Sequence, residues 1–417
     1  MESFAAVPSV QIIRKSVLAS TLENYVDYLT RRGYASLTRN NYLACVSHFA
    51  RWVGRKHFEL QRVDEDLVRC FLTTHLPVCR CPRPAACTLN NVRRALRLLI
   101  RVMRSSGRIR PRPDSLSAAI RQELERFDIY LVDVCGLAAA TRLYRLRYVR
   151  EFLVAQFPTR SIDLSRLKPA DICRFVTQRA QGLKPRTAGI IGDCLRSYFR
   201  FAGVQGHATE RLIAAVPRVA HWRLASLPGV LTERELNNVL RSFDRTTATG
   251  RRDYAMARCL ADLGLRAGEV ASPQLDDVNW REGTLCIAKG KSKRVTLLPL
   301  PAQTGQALAQ YLRCARPKTE SRALFVRHRA PRDEPVGPSL VRNAMRCAYA
   351  RCGLASRWTG THVLRRTAAS RLINAGATLK DIADLLRHKD LDTTTIYAKV
   401  DLRRLAKVAL PWPEACP

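Results

Sequence analysis

The sequence predicts a mainly α-helical protein with one small β-hairpin, in which two related helical repeats precede a C-terminal domain. Three observations support this. Apolar residues recur at helical spacing along most of the chain. A long helical segment occurs twice. One pair of short apolar strands flanks a lysine-rich turn. The expected boundaries are 1–112 for the first repeat, 113–206 for the second, 207–228 for a linker and 229–417 for the C-terminal domain.

The helical repeats are related by internal duplication. Tyr28 aligns with Tyr130 and Phe49 with Phe152, at offsets of 102 and 103 residues. The matched segments are 25–53 with 127–155, 66–71 with 171–175, and 96–101 with 195–200. The offset falls to 99 in the last pair, so the first repeat has extra residues, and they fall in a cysteine-rich loop. Two copies indicate a duplication rather than a solenoid.

The charge balance indicates a polyanionic partner. Lys and Arg number 71 against 35 Asp and Glu, which gives a net charge of +36 and a pI near 10.6. Because the basic residues are spread along the chain, folded surfaces must carry them. An anionic membrane is the rival partner, but no apolar run reaches the length of a membrane span, and the first residues lack a signal-peptide pattern. Nucleic acid is therefore the predicted partner.

Two helical segments concentrate this charge, NNVRRALRLLIRVMR (90–104) and TRLYRLRYVR (141–150). A charged helix face is usually only solvated surface. Here nearly every charge is positive and few acidic partners stand four residues away, so the helices would repel themselves without a counter-charge. These faces are predicted to track DNA phosphates.

The fourteen cysteines are typical of a reducing compartment, because most stand alone at predicted helical core positions. Examples are Cys45, Cys194, Cys259 and Cys347. One cluster differs, since His75, Cys79, Cys81 and Cys87 lie within a short loop. These are zinc-ligand types, but Cys-x-Cys is tighter than the common ligand spacing. The expectation is a metal-free loop and no cofactor, with zinc binding as the alternative.

The C-terminal domain begins with a predicted helix capped by Thr232 and Glu235. A second helical stripe ends at Gly264, and Arg266 follows this break, so the backbone rather than a helix face positions Arg266. The segment 284–301 reads as a β-hairpin. Its turn carries four basic residues, Lys289, Lys291, Lys293 and Arg294.

The last third of the domain adds further polar positions. His362 and Arg365 are three residues apart and share one face at the start of a helix. A helix capped by Thr378 ends near His388. Asp392 then caps a short helix whose opening turns carry Tyr397 near the surface. Alone, each residue has an ordinary structural explanation.

Together the set resembles the signature of the tyrosine recombinase family, which includes phage integrases and Xer-type and Cre-type recombinases. The matching blocks are GLRAGEV, GKSKR, HVLR and LRHKDLDTTTIY. The resemblance implies a tyrosine recombinase catalytic domain and SAM-like core-binding helical repeats. It also implies metal- and ATP-independent cutting and rejoining of double-stranded DNA. The site residues implied are Arg266, Lys291, His362, Arg365, His388 and Tyr397.

The roles implied by the resemblance suit the residue types. Tyr397 attacks a phosphodiester, two arginines neutralise the non-bridging oxygens, and two histidines donate hydrogen bonds or move protons. Lys291 is the favoured acid for the leaving 5′ oxygen, with Lys289 left open. Glu269 is carried over as a supporting carboxylate. The chain departs from the family at Arg387, where glycine is usual, and at Arg366, where histidine is usual.

Two other functions fit parts of the pattern. A type IB topoisomerase uses a similar residue set, and a catalytically weak DNA-binding protein would keep the basic repeats. The tail 401–417 offers a short amphipathic helix, which in the family docks on a neighbouring subunit of a tetramer. The expectation is therefore a homotetrameric site-specific recombinase of a mobile element. Its expected location is the prokaryotic cytoplasm, in association with the nucleoid.

Overall fold

A computed structural model gives the architecture of the chain. It describes residues 7–82, 88–109, 116–158, 161–219, 229–287, 295–332 and 334–387. Pro111–Ala225 form one compact unit, and residues 1–110 group with residues 226–417 in another. Among the described residues, no helix is long and apolar enough to cross a membrane.

In its described residues, the first helical repeat packs five α-helices around an aromatic core. They are α1 (Pro8–Arg14), α2 (Leu22–Arg31), α3 (Ser36–Arg55), α4 (Glu65–Cys70) and α5 (Leu89–Ser105). Phe49 and Phe71 are fully buried. The buried Tyr25 hydroxyl donates to the Ala95 carbonyl oxygen at 3.1 Å, which joins α2 to α5. Between α4 and α5 the chain forms a π-helical turn, Phe71–His75, and then a 3₁₀ turn, Leu76–Val78.

The second helical repeat has a comparable plan. Its helices are α6 (Ala118–Asp133), α7 (Ala139–Gln156), α8 (Pro169–Ala180), α9 (Pro185–Val204) and α10 (Glu210–Ala215). Phe152, which the duplication aligns with Phe49, is also fully buried. The Tyr198 hydroxyl contacts Glu123 Oε1 at 2.9 Å, so this core encloses a polar pair.

The C-terminal domain combines seven helices with one small sheet in the described residues. The helices are α11 (Glu233–Arg241), α12 (Ala248–Asp262), α13 (Ala267–Ala271), α14 (Ala302–Cys314), α15 (Pro338–Arg351), α16 (His362–Asn374) and α17 (Leu379–Leu386). The strands are β1 (Val278–Asn279), β2 (Thr284–Ile287) and β3 (Thr296–Pro299). They form an antiparallel sheet in the order β1-β2-β3, with Leu285 opposite Leu298.

Several local predictions are confirmed. Strands β2 and β3 are the predicted hairpin, although β1 was not foreseen. Thr232 Oγ1 accepts from the Glu235 N–H at 3.1 Å, and Glu235 Oε2 accepts from the Thr232 N–H at 2.9 Å, so the capping box is present. Cys45, Cys194 and Cys259 are buried as expected, but Cys347 is exposed on α15, so its predicted core position is wrong.

Among the described residues, an ion pair links the first repeat to the C-terminal domain. The Arg32 guanidinium donates to Glu334, which also accepts from Arg327 at 3.0 Å. Both ends are partly exposed, so this contact contributes little to stability.

Candidate active site

The turn before α13 is shaped by Gly264. Its φ of +59° lies in the left-handed region, and a Cβ there would come within 2.6 Å of Leu386 Cδ2. Both constraints favour glycine, because other residues pay a steric penalty at positive φ. The chain then reaches Arg266 in extended conformation, as the N-cap of α13.

Glu269 holds Arg266 through a capping box. The Arg266 N–H donates to Glu269 Oε2 at 2.8 Å, and its guanidinium Nη1 donates to Oε1 at 2.7 Å. The Arg266 side chain keeps 30% of its surface exposed, whereas Glu269 is buried. The guanidinium is therefore fixed at one end and open to solvent at the other.

Arg365 occupies the first turn of α16, as predicted, and is 4% exposed. Its Nη1 donates to the Gly264 carbonyl oxygen at 2.6 Å, and its Nη2 donates to the Leu386 carbonyl oxygen. One buried guanidinium thus ties the turn before α13 to the end of α17.

The Glu269 carboxylate is shared by three arginines. Besides Arg266, its Oε2 atom lies 2.6 Å from Arg387 Nη2 and 3.8 Å from Arg365 Nη1. Burial alone would raise the pKa of Glu269, but the Arg266 N–H and the Arg387 and Arg266 guanidinium groups outweigh it and lower the pKa. The carboxylate stays ionised and holds the arginines in place.

Arg387, where the family has glycine, adopts the left-handed conformation itself, with φ 54° and ψ 49° at the C-terminal end of α17. An L-residue there costs about 1–2 kcal/mol. The ion pair with Glu269 and a hydrogen bond to the Leu385 carbonyl oxygen at 2.9 Å offset this cost. The departure therefore adds a contact to the site and does not break its geometry.

His362 is exposed at the start of α16, yet the pKa of its imidazole is lowered. Crowding by neighbouring atoms contributes most, followed by the positive charges of Arg365 and Arg366. The ring is therefore mostly neutral near pH 7.

The first repeat carries a basic groove of about 640 Å³ between α4 and α5. Arg93, Arg97 and Arg101 are exposed along one face of α5 at spacings of four residues and line this groove. In the second repeat, Arg147 on α7 pairs with Glu151 four residues away at 3.0 Å, which is one of the few acidic partners expected along these helices.

Known proteins share both the sequence and the fold. A model of the phage integrase family matches residues 229–404. The putative integrase/recombinase y4rA of Sinorhizobium fredii (strain NBRC 101917 / NGR234) is 36% identical over 391 residues, 93% of each chain. The chain belongs to the tyrosine recombinase family. The tyrosine recombinase XerA of Thermococcus onnurineus (strain NA1) is 29% identical to this recombinase over 291 residues, which cover 69% of its chain and 94% of XerA.

A solved structure of the XerH site-specific recombinase, bound to palindromic difH substrate in a post-cleavage complex, shares the fold. It covers 85% of this recombinase and 95% of its own chain at a TM-score of 0.57, with 18% identity. This match confirms the predicted mainly helical fold with a small sheet. The predicted family and the class of DNA strand transferases are confirmed by the family model and by the y4rA and XerA relatives.

Three of the six predicted site residues of this recombinase fall within the described residues. Arg266 and Arg365 contact Glu269, and the positive charges of both contribute to the lowered pKa of His362. The other three, with the alternative lysine, lie outside the described residues: Lys291, His388, Tyr397 and Lys289. Sequence reasoning did not foresee the Arg387–Glu269 contact, because its partners are 118 positions apart.

Proposed function

We propose that this protein is a site-specific recombinase or integrase that cuts and rejoins double-stranded DNA through a 3′-phosphotyrosyl link to Tyr397. The observation that carries the proposal is the cluster of Arg266 and Arg365 on the buried Glu269. Such fixed positive charge suits a phosphodiester whose transition state gathers negative charge.

The two arginines would act differently. Arg266 is half fixed and partly exposed, so its free N–H groups can donate directly to a non-bridging phosphate oxygen. Arg365 is buried and already donates to two carbonyl oxygens. In this arrangement Arg365 contributes charge and holds the site together.

The chemical step would be a direct exchange of phosphorus–oxygen bonds. The Tyr397 oxygen forms a bond to phosphorus as the bond from phosphorus to the 5′ oxygen breaks. The tyrosine proton passes to a neighbouring base, for which neutral His362 is suited. Lys291 gives a proton to the leaving 5′ oxygen, and His388 donates to the phosphate. Because the bond energy is kept in the phosphotyrosine, rejoining needs no nucleotide.

DNA would be held by both helical repeats. Residues 113–206, next to the linker 207–228, are assigned to the core site, and residues 1–112 to DNA farther out. The exposed stripe of Arg93, Arg97 and Arg101 supports the second assignment. We further propose a homotetramer on DNA, joined through the tail 401–417, acting for a mobile element at the nucleoid.

The covalent step is tested with labelled DNA fragments taken from the sequences that flank the gene on either side. Each fragment carries a nick next to the expected cleavage point. A 3′-linked adduct should form without added divalent metal or nucleotide. Tyr397→Phe should abolish it, while Tyr254→Phe, on α12, whose ring still packs against Phe243, should not. An adduct that persists in Tyr397→Phe contradicts the proposal. Relaxation of supercoiled plasmid without strand exchange would instead favour the topoisomerase alternative.

The DNA contact of the first repeat is tested by salt dependence. The slope of log K for DNA binding against log salt concentration is negative. Replacing Arg93, Arg97 and Arg101 with Ala should make this slope less steep, by up to about 0.9 for each phosphate that the protein no longer neutralises. Arg31→Ala, an exposed arginine paired with Asp27, is the matched control. Equal slopes for the triple variant and the control would show that these arginines of the first repeat do not contact DNA phosphates.

A further inference from the structure

Four metal-binding side chains meet in the first helical repeat, away from the candidate active site. They are His48 on α3, His75 at the end of the π-helical turn, and Cys79 and Cys81 in the loop that follows. Their ligand atoms all lie within 4.8 Å of one another. Three of the four therefore belong to the cluster noticed in the sequence, and His48 is a new member.

The distances match a tetrahedral metal site. The Nε2 atoms of His48 and His75 are 3.2 Å apart, Cys79 Sγ is 3.1 Å from His48 Nε2, and Cys81 Sγ is 3.5 Å from His75 Nε2. Zinc bonded to two nitrogens near 2.0–2.1 Å and two sulfurs near 2.3 Å places its ligand atoms about 3.3–3.8 Å apart. These three separations are close to that spacing, and the remaining ones stay within 4.8 Å.

The ligand atoms also crowd one another. His48 Nε2 faces both His75 Nε2 and Cys79 Sγ, and a neutral imidazole carries only one proton on its two nitrogens. A cation at the centre satisfies all four atoms at once. Two thiolates balance the charge of a divalent ion, which suits a site beside buried aromatic rings.

The surrounding structure holds the four residues in place. The Phe71 ring stacks on His75 with centroids 5.2 Å apart and meets His48 edge-on at 5.1 Å. The Cys81 N–H donates to Cys79 Sγ at 3.3 Å. His75 itself ends a π-helical turn, a rare geometry found often at functional sites. Such outer contacts orient ligands and tune their basicity.

The second helical repeat provides a control within the same chain. By the offsets of 103 at Phe49 and 104 at Phe71, its equivalents of His48 and His75 are Glu151 and Arg179. Arg179 Nε donates to Glu151 Oε2 at 2.7 Å. At these aligned positions the second repeat has an ion pair, whereas the first repeat has two imidazoles. The extra loop residues of the first repeat supply the two cysteines.

We propose that His48, His75, Cys79 and Cys81 bind one structural zinc ion that joins α3 to the loop between α4 and α5. Binding exchanges up to two thiol protons for one Zn²⁺, which gives a neutral Cys₂His₂ centre. This reverses the expectation of a metal-free loop drawn from the sequence. The site is independent of the proposed recombination chemistry, because its residues lie in a different domain.

The test is metal analysis of the full-length protein purified under reducing conditions. About one zinc per chain should be present in the wild type and in Cys70→Ser, an exposed cysteine of the same repeat. The Cys79→Ser, Cys81→Ser double variant should lose it. Zinc retained in the double variant, or absent from the wild type even after incubation with Zn²⁺, would overturn the proposal.

Cobalt gives a readout that does not depend on how the variants fold. Wild-type protein loaded with Co²⁺ in place of zinc should show the intense visible bands of a tetrahedral ion and a sulfur-to-cobalt charge-transfer band. The Cys70→Ser control should show the same spectrum. A wild-type spectrum typical of octahedral cobalt without thiolate ligands would also overturn the proposal.

Discussion

In the C-terminal domain one buried carboxylate, Glu269, joins guanidinium groups from three separate segments of the chain. In the first helical repeat two imidazoles and two sulfur atoms from separate segments meet at comparable distances. Both clusters fasten elements that are far apart in sequence. Carboxylate and guanidinium keep their charges at neutral pH, so the Glu269 cluster contains its own counter-charges. In the His/Cys cluster, the proposed zinc ion would be balanced by two thiolates.

The second helical repeat is the intermediate case. It carries the Glu151–Arg179 ion pair where the first repeat has two histidines, while aligned core residues such as Phe49 and Phe152 stay buried in both. The buried apolar positions are therefore shared by the two repeats. The polar groups that link the helices differ in chemical type between them. Mutation, metal removal and pH should therefore affect the three links differently.

The largest effect is expected for Glu269→Gln. Loss of the charge leaves Arg266, Arg365 and Arg387 without their shared anion, and breaking a buried ion pair costs about 3–5 kcal/mol. Because the arginines also lose their fixed positions, adduct formation should fall on the order of 100-fold or more. Rates of adduct formation and thermal unfolding curves measure both effects.

The control is Glu282→Gln, an exposed glutamate next to the sheet, which should leave both measurements unchanged. A Glu269→Gln enzyme with wild-type rate would mean that the arginines are held by their backbone contacts alone.

Zinc removal should give the next largest effect. At free zinc about 1,000-fold above its dissociation constant, a site present only in the folded state stabilises it by about 4 kcal/mol. A strong chelator should therefore lower the unfolding temperature of the wild type, and restored zinc should raise it again. The Cys79→Ser, Cys81→Ser variant should respond to neither treatment. An identical response in that variant would place the stabilising metal elsewhere.

The two clusters also show which features could be predicted from the sequence and which could not. Local signals were readable: the Thr232–Glu235 capping box and the shared turn of His362 and Arg365 follow from spacings of three residues. Glu269 followed from its motif block. These features are predictable because their partners are neighbours in the chain.

Long-range contacts were not readable. His48 lies on a buried face of α3, 27 positions before His75, and looks like an ordinary core histidine. The fourth ligand suggested by the sequence, Cys87, lies outside the described residues. Arg387 gave a signal only as a departure from the family's glycine, because its carboxylate partner Glu269 lies 118 positions earlier in the chain.

A third, smaller effect is expected at Arg387. Two substitutions there separate the loss of the ion pair from the cost of the left-handed backbone. Arg387→Ala keeps the left-handed backbone but removes the ion pair with Glu269, so a decrease in stability of about 3 kcal/mol is expected. Arg387→Gly removes the same ion pair but relieves the backbone, which should recover about 1 kcal/mol of that decrease. Unfolding curves of the two variants against wild type measure the difference. If the glycine variant equals the wild type, the ion pair contributes nothing beyond offsetting the backbone cost.

The smallest effect is expected in the second helical repeat, for Glu151→Gln. Burial alone would raise the pKa of Glu151, but hydrogen bonds from Arg179 and Arg147 outweigh it and lower the pKa. Because the folded pKa lies below the unfolded value, the stabilising contribution is complete above about pH 4.3 and is lost as pH falls through the folded pKa. Since the side chain is 31% exposed, this contribution should stay below about 1 kcal/mol.

Amide hydrogen exchange in α7 and α8 is the suitable measurement for Glu151→Gln, because it reports local opening in the full-length protein. At pH 7 the variant should exchange slightly faster than wild type and than Glu125→Gln, an exposed control on α6. Below the folded pKa, after correction for intrinsic rates, the difference should vanish because both side chains are then uncharged. A difference that persists there would show that the shape of the hydrogen bonds, and not the charge, links these helices.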